Sequence, residues 1–306
     1  MSIAVRKYNV VKLILDKSIF DENVIHIILK LYWDLLPKVK ILLDWIPLDK
    51  LDWNNLCYNK NAIDLFKANI DKIDWGELSY NENAIDLLKD NIDKIYWNIL
   101  STNSNAIELL KQHPNKIDWI SLSSNKNAIT LLENNSDKIN WSVLSGNKNA
   151  IHLLEENIDK IDWFGLSENK NAIKLLEQNI DKINWNVLSG NKNAIQLLEQ
   201  HKDNINWRLL SFNPNAIRLL EQNIDNIDWK YLSSNKNAIH LIENNYDNID
   251  WNHLSTNVNA IHLLEKRLNQ IELALNPNAI ELLKQHPNKI DWNILSRNPA
   301  IFEVEI

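Results

Sequence analysis

The stretch from Asn169 to Gly190, NKNAIKLLEQNIDKINWNVLSG, is followed at once by NKNAIQLLEQHKDNINWRLLSF, Asn191 to Phe212. Two near-copies in tandem identify a repeat, and counting outward from them decides the fold. Tryptophans stand at 53, 75, 97, 119, 141, 163, 185, 207, 229 and 251, a strict spacing of 22, and Asn-Ala-Ile recurs from Asn61 through to Asn259. A fixed period of this length is the mark of stacked supersecondary units that share one continuous core.

Taken from the first Asn of N-x-N, nine full units span residues 59–256, a 19-residue unit spans 257–275 and a full unit spans 276–297. Upstream, ILLDWIPLDKLDW keeps the spacing from Ile41 to Trp53, so residues 37–58 read as a degenerate opening unit. In the short unit Leu273 reads as a replacement for Trp, and a bend of the array is expected there. Residues 1–36 lie outside the template and read as an N-terminal helical cap, with residues 298–306 as a C-terminal tail.

The order of signals within a unit predicts its elements. In NPNAIRLLEQN, Asn213 reads as a helix cap with Pro214 in the first turn, and Ala216, Ile217, Leu219 and Leu220 form a broad apolar stripe. About ten residues of helix end at Asn223, read as a left-handed C-terminal residue. Asp228 then caps a second, one-turn α or 3-10 helix carrying Trp229 and Leu232. The expected fold is all-α: a solenoid of 22-residue units, each an α-helix plus a one-turn α/3-10 helix, forming an elongated, curved rod. In the cap region Asp21 precedes a stripe of Val24, Ile25, Ile28, Leu31 and Leu35, which would shield the first repeat.

Composition excludes several classes. The formal charge of −7 keeps the chain soluble and disfavours nucleic acid as partner. A single cysteine, Cys57, staples nothing and fits a reducing compartment. The opening MSIAVRKYNVVKLILDKSIF has no long apolar core, and Lys30 interrupts the apolar run around it, so neither secretion nor membrane insertion is expected.

The recurring columns read first as structure. Each Trp keeps a fixed offset to an Ile two before and a Leu three after, which makes the column a core spine rather than a stacking platform. One Asn of N-x-N is expected to cap and the other to bond the neighbouring turn. Glu133, Glu155, Glu177 and their equivalents, with the column Lys126, Lys148, Lys170, Lys192 and Lys236, read as a solvated charge ladder. His240, His253 and His262 fall in adjacent units but match no metal-ligand spacing. There is no phosphate-loop, HExxH or CxxC motif, so no catalytic residue, metal or cofactor is expected, and the chain reads as non-enzymatic.

The unit N-x-N-A-I-x-L-L-E-x-N-x-D-K-I-D-W-x-x-L-S resembles the tandem repeats of uncharacterised proteins from large nucleocytoplasmic DNA viruses. That resemblance, over residues 37–301, implies a viral protein in the cytoplasm of an infected host cell, with the virion as a second location. It implies no activity and no site residues.

Function is sought where the repeats differ. Variable basic and aromatic residues gather in the C-terminal half at Arg208, Phe212, Arg218, Lys230 and Tyr231, joined by His240, His253 and His262. Aromatic and Arg side chains at variable positions are the usual material of a protein-binding hot spot. The leading expectation is a repeat scaffold for protein–protein interaction with an unidentified viral or host protein, at no membrane and in no assigned oligomeric state. Alternatives are a single-stranded nucleic-acid-binding solenoid, a structural virion component, and a ubiquitin-ligase adaptor suggested by a faint F-box-like opening in FDENVIHIIL.

Overall fold

The computed structural model describes residues 11–12, 21–35, 39–265, 267 and 273–305. The all-α solenoid is present, with a finer division of each unit into three short helices. In the unit that begins at Asn213, an α-helix covers Ile217–Glu221, a 3-10 turn covers Ile224–Asn226 and a second α-helix covers Trp229–Ser233. We call the first and last the Ile helix and the Trp helix. The ten-residue helix expected from the stripe is cut at Asn223, which sits at φ −139° and ψ 50° with its side-chain amide donating to the carbonyl of Leu219 at 2.7 Å. The left-handed ending expected there is absent, and no described non-glycine residue has a positive φ.

The cap of the Trp helix is as the sequence indicates. The carboxylate of Asp228 accepts the amide of Tyr231, and Asp118, Asn140 and Asn184 do the same in their units. The Ile helix, by contrast, starts at an alanine with no side-chain cap. Its asparagines are used between units instead. The Asn213 amide donates to the carbonyls of Ser189 (3.2 Å) and Asn191 (3.0 Å), its Oδ1 accepts from the amide of Asn215 (3.1 Å), and the Asn215 side chain donates to the carbonyl of Lys192 (3.0 Å). Both asparagines therefore bond the preceding unit. A carboxylate could not replace the first one, because its buried position faces two carbonyl oxygens that need a donor.

The core is a continuous stack of Ala, Leu and Ile, represented in one unit by Ala216, Leu219, Leu220 and Leu232 at 0 % exposure and Ile227 at 8 %. The tryptophans are its rim rather than its spine. They are half-buried and pack on the core from one side, while a lysine of the next unit covers the other face: Lys72 lies 4.7 Å from the Trp53 ring centre, Lys160 4.5 Å from Trp141, and Lys182 5.0 Å from Trp163.

The array closes on itself, which corrects the elongated rod. Strand β1, Val39–Leu42, pairs antiparallel with strand β2, Phe302–Glu305, placing Val39 opposite Glu305 and Leu42 opposite Phe302. Beside them every bond of a regular unit-to-unit interface recurs between the ends of the chain. Asn59 donates to the carbonyls of Ser296 (3.2 Å) and Asn298 (2.9 Å), Asn61 donates to the carbonyl of Pro299 (2.9 Å), and the amide of Asp52 donates to Ser296 Oγ (2.9 Å). The first asparagines at 59, 81, 103, 125, 147, 169, 191, 213, 235, 257, 276 and 298 form a ladder of twelve without an end. The degenerate opening unit and the C-terminal tail are thus two parts of one unit. Its 3-10 turn Leu48–Lys50 and Trp helix Trp53–Cys57 come from the start of the chain, and its N-x-A-I turn and β2 from the end.

Closure follows from a wedge-shaped unit. Successive Trp helices pack directly on one another, as Trp97–Thr102 does on Trp119–Ser124 and onward through Trp141–Ser145 to Trp163–Glu168. Among the described residues no successive pair of Ile helices is in comparable contact. The Trp row therefore has the smaller radius, and twelve wedges of about 30° complete a circle. With neighbouring helices at roughly 8 Å and side chains reaching about 5 Å inward, the opening is on the order of 20 Å across.

Two further expectations are corrected. In the short unit the amide of Asn276 donates to Leu273 and the Asn298 side chain donates to the carbonyl of Ala274, so Leu273 stands where the other units have the Leu of Leu-Ser and Ala274 replaces the Ser. The three missing residues fall at the Trp turn, around 268–272, outside the described residues. The ladder runs through this unit, with Asn276 donating to Ser255 (2.9 Å) and Asn257 (3.1 Å), so the array keeps its register where a bend was expected. The second correction concerns the cap. A helix does run from Glu22 to Leu35 behind Asp21, whose carboxylate accepts from Asn23. Of its expected stripe, Val24 and Leu31 are exposed, Ile25 and Ile28 half-buried, and Leu35 has its side chain outside the described residues; Leu29 is the buried member. It is the last unit, not this helix, that covers the first.

Candidate functional site

On a Trp helix the Leu three residues after the Trp points into the core, and the residues one and five after the Trp lie on the opposite side. Because this row is the inner one, those two columns face the central opening. The first contains Ile120, Ser142, Phe164, Arg208 and Lys230, and the second Tyr58, Tyr80, Glu168, Phe212 and Arg297. Side chains here converge as an inner surface requires: the Tyr58 and Tyr80 rings stack with centroids 6.1 Å apart, and the Arg297 guanidinium lies 4.6 Å from the centre of the Tyr58 ring across the closure. One glycine marks a close approach of neighbouring inner helices. A Cβ added at Gly165 would meet the amide nitrogen of Gly146 and the carbonyl of Ser142 at 3.4 Å.

The residue between the two asparagines of N-x-N borders this surface. Lys126 reaches Glu82, two units away, at 3.5 Å, a span that is short only at small radius. Glu82 also pairs with Lys60 and accepts from Ser104 at 2.5 Å, and these bonds from Lys60 and Ser104 hold its carboxyl down at about 2. The lysine and glutamate columns, read together as one ladder, therefore occupy different faces. Lysines 148, 170, 192 and 236 border the opening and, among the described residues, have no ion-pair partner; Glu133, Glu221 and Glu243 lie on the outer Ile helices.

The residues singled out by sequence variability divide the same way. Arg208, Phe212, Lys230, Tyr231 and His253 sit on Trp helices. Arg208 bonds the Tyr231 hydroxyl with its guanidinium 4.5 Å from the ring centre, and Tyr231 packs on His253 at 5.9 Å, giving a chain along three successive Trp helices that starts from the inward Arg208. Arg218, His240 and His262 lie on outer Ile helices. There His240 pairs with Glu221 (2.6 Å) and His262 with Glu243 (2.8 Å), each with the preceding unit. The three histidines consequently do not converge. His253 bonds Asp250 within its own helix at 3.1 Å, and no group of three metal-ligating side chains occurs among the described residues.

Two features were not found by reading variability. One is the lysine column, read from sequence as half of a charge ladder; in this column Glu82 is the one acid, and it serves Lys60 and Lys126, at the far end from Lys148, Lys170 and Lys192. The other is a pocket of about 190 Å³ formed by Lys192, Phe212, Pro214, Ser234, Lys236 and Val258 with their neighbours. Phe212, 55 % exposed, forms its apolar wall between two lysines. Cys57 takes the buried serine position and bonds the carbonyls of Trp53 and Asp74; burial pushes its thiol up to about 12, so it is inert as a nucleophile.

No family model matches the chain, and no curated relative or solved structure matches it either.

Proposed function

We propose that this protein is a non-enzymatic binding ring that holds a protein partner against its inner face. The observation that carries the reading is the distribution of variation around the closed array. Residues of the ladder and core repeat almost unchanged, whereas the two columns facing the opening, like the outer column that follows Asn-Ala-Ile, vary from unit to unit; the inner columns differ from the outer one in adding Tyr58, Tyr80, Ile120, Phe164 and Phe212 to the polar side chains. A surface released from packing and presented on a rigid circle suits recognition of one partner by many small, different contacts. The likeness of the unit to giant-virus repeats supports an infected host cell as the place of action.

The test is site-specific photocrosslinking from within infected cells. A photoreactive amino acid at Phe164 or Phe212, both inward, should capture one discrete partner, and the same residue placed outward at Lys174 or Arg218 should not. Crosslinks from the outward positions alone would move the binding surface to the Ile helices.

A further inference from the structure

We infer that the lysine arc Lys126, Lys148, Lys170 and Lys192, together with the Phe212 pocket, binds an extended acidic segment of a partner protein that carries one apolar residue ahead of its acidic run. The inference rests on the ring-binding reading and names the chemistry of what is bound. Four successive units each place a lysine between their asparagines, and Lys236 resumes the row after Pro214. On the outer Ile helices Lys67 pairs with Asp64 and Lys111 with Glu108, three residues away. On the arc Glu168 is the one carboxylate among the inner columns of the four units, so positive charge accumulates in a chain whose formal total is −7. Lys126 pairs with Glu82 at 3.5 Å, whereas Lys148, Lys170 and Lys192 have no ion-pair partner among the described residues, and such a cationic run on an acidic protein selects an anionic partner by attraction at the arc and repulsion elsewhere.

Spacing and surroundings narrow the class. Alternate side chains of an extended peptide lie about 6.6 to 6.8 Å apart on one face, and inward side chains of successive units approach each other on that scale, as the 6.1 Å between Tyr58 and Tyr80 shows. Every second residue of an acidic segment can therefore meet one lysine per unit. A nucleic-acid strand would present phosphates at similar intervals but would also need a platform for each base. Beside the arc lie Ile120, Ser142, Phe164 and Asn186 and then Ser124, Gly146, Glu168 and Gly190, so one aromatic serves four units. At the end of the arc the pocket between Lys192 and Lys236 has the volume of a single large apolar side chain.

Fluorescence anisotropy with the full-length protein tests this. The probe is a labelled peptide of about a dozen residues, one Leu followed by alternating Asp and Ser, compared with the same peptide carrying Lys for Asp and with oligo-dT of similar length. The acidic peptide should bind with micromolar affinity that weakens as salt rises, and the basic one should not bind. Replacing Lys148 and Lys170 together by Gln should weaken binding about tenfold or more with unchanged circular dichroism. Phe212→Ala should weaken the Leu-bearing peptide and leave a Leu→Ser version unaffected. Tighter binding of oligo-dT than of the acidic peptide, or undiminished binding by the folded double variant, overturns the inference. Inward crosslinking from Phe164 would still stand in that case, so the two readings fail separately.

Discussion

Asn59 donates its side-chain amide to the carbonyl of Asn298 at 2.9 Å, across 239 positions of chain, in the same role that Asn81 plays toward Asn59 itself. That bond places the first and last units side by side, so the behaviour of the two ends measures whether the ring exists in solution.

Small-angle scattering should give a radius of gyration a few Å above the roughly 20 Å of a filled, compact chain of this length, because of the central opening, and below the roughly 30 Å of an open rod some 100 Å long. A value close to the second would show that the ends stand apart.

Asn59→Ala and Asn147→Ala should destabilise the protein alike, by about 1 to 3 kcal/mol, since each leaves two buried carbonyls without their donor. In an open array Asn59 would lack its acceptors, the carbonyls of Ser296 and Asn298. A denaturant titration in which only Asn147→Ala costs stability would therefore contradict closure.

Trp163→Ala should cost about 2 to 3 kcal/mol, below the 3 to 5 typical of a fully enclosed aromatic, because the ring is half-buried with Lys182 over one face. Leu166, at 0 % exposure, should cost at least as much when truncated despite its smaller size. Thermal melts of the two variants side by side decide the order.

Ala274→Ser should stabilise. In the regular units the serine hydroxyl accepts the backbone amide 17 residues on, as Ser101 does from Asp118 at 3.1 Å, and Ala274 leaves the corresponding amide of Asp291 without that acceptor. Restoring it should contribute about 1 kcal/mol, roughly 2 °C in melting temperature. A lower melting temperature would show that the enclosed hydroxyl lacks a partner for its proton.

Cys57 gives a pH-dependent outcome. Its thiol is raised from 9.0 to about 12 by burial, so the fold favours the protonated form. The associated stability is complete below pH 9 and falls as pH rises from there toward 12. Native protein should resist thiol reagents at pH 8 and react on unfolding; Cys57→Ser should flatten the alkaline fall.

Reading outward from Asn169 recovers much of this architecture, because a residue that recurs every 22 positions must do the same job each time. The caps at Asp118 and Asp228 and the core leucines at 220 and 232 follow from spacing alone. Closure does not, because it depends on a small rotation per unit that no single side chain encodes and that becomes decisive only when summed. The strand at Val39–Leu42 was equally hidden: it forms against residues 260 or more positions away. The half-burial of Trp163 was missed because an Ile and a Leu at fixed offsets locate a tryptophan along its helix without saying how much of its ring they cover. For the candidate site, Arg208, Tyr231 and His253 were legible as departures from the repeat, whereas the lysine column, conforming to it, read as half of a charge ladder until the structure separated it from the glutamates.

Sharing one unit between the two ends makes the protein sensitive to an integer. An open array can gain or lose a unit and merely change length, but here a thirteenth unit would force every interface from about 30° to about 28°, while the seam would still have to meet in register. The short unit fits that constraint: it lost three residues yet kept its rung of the ladder, so the tally of rungs survived where the spacing did not.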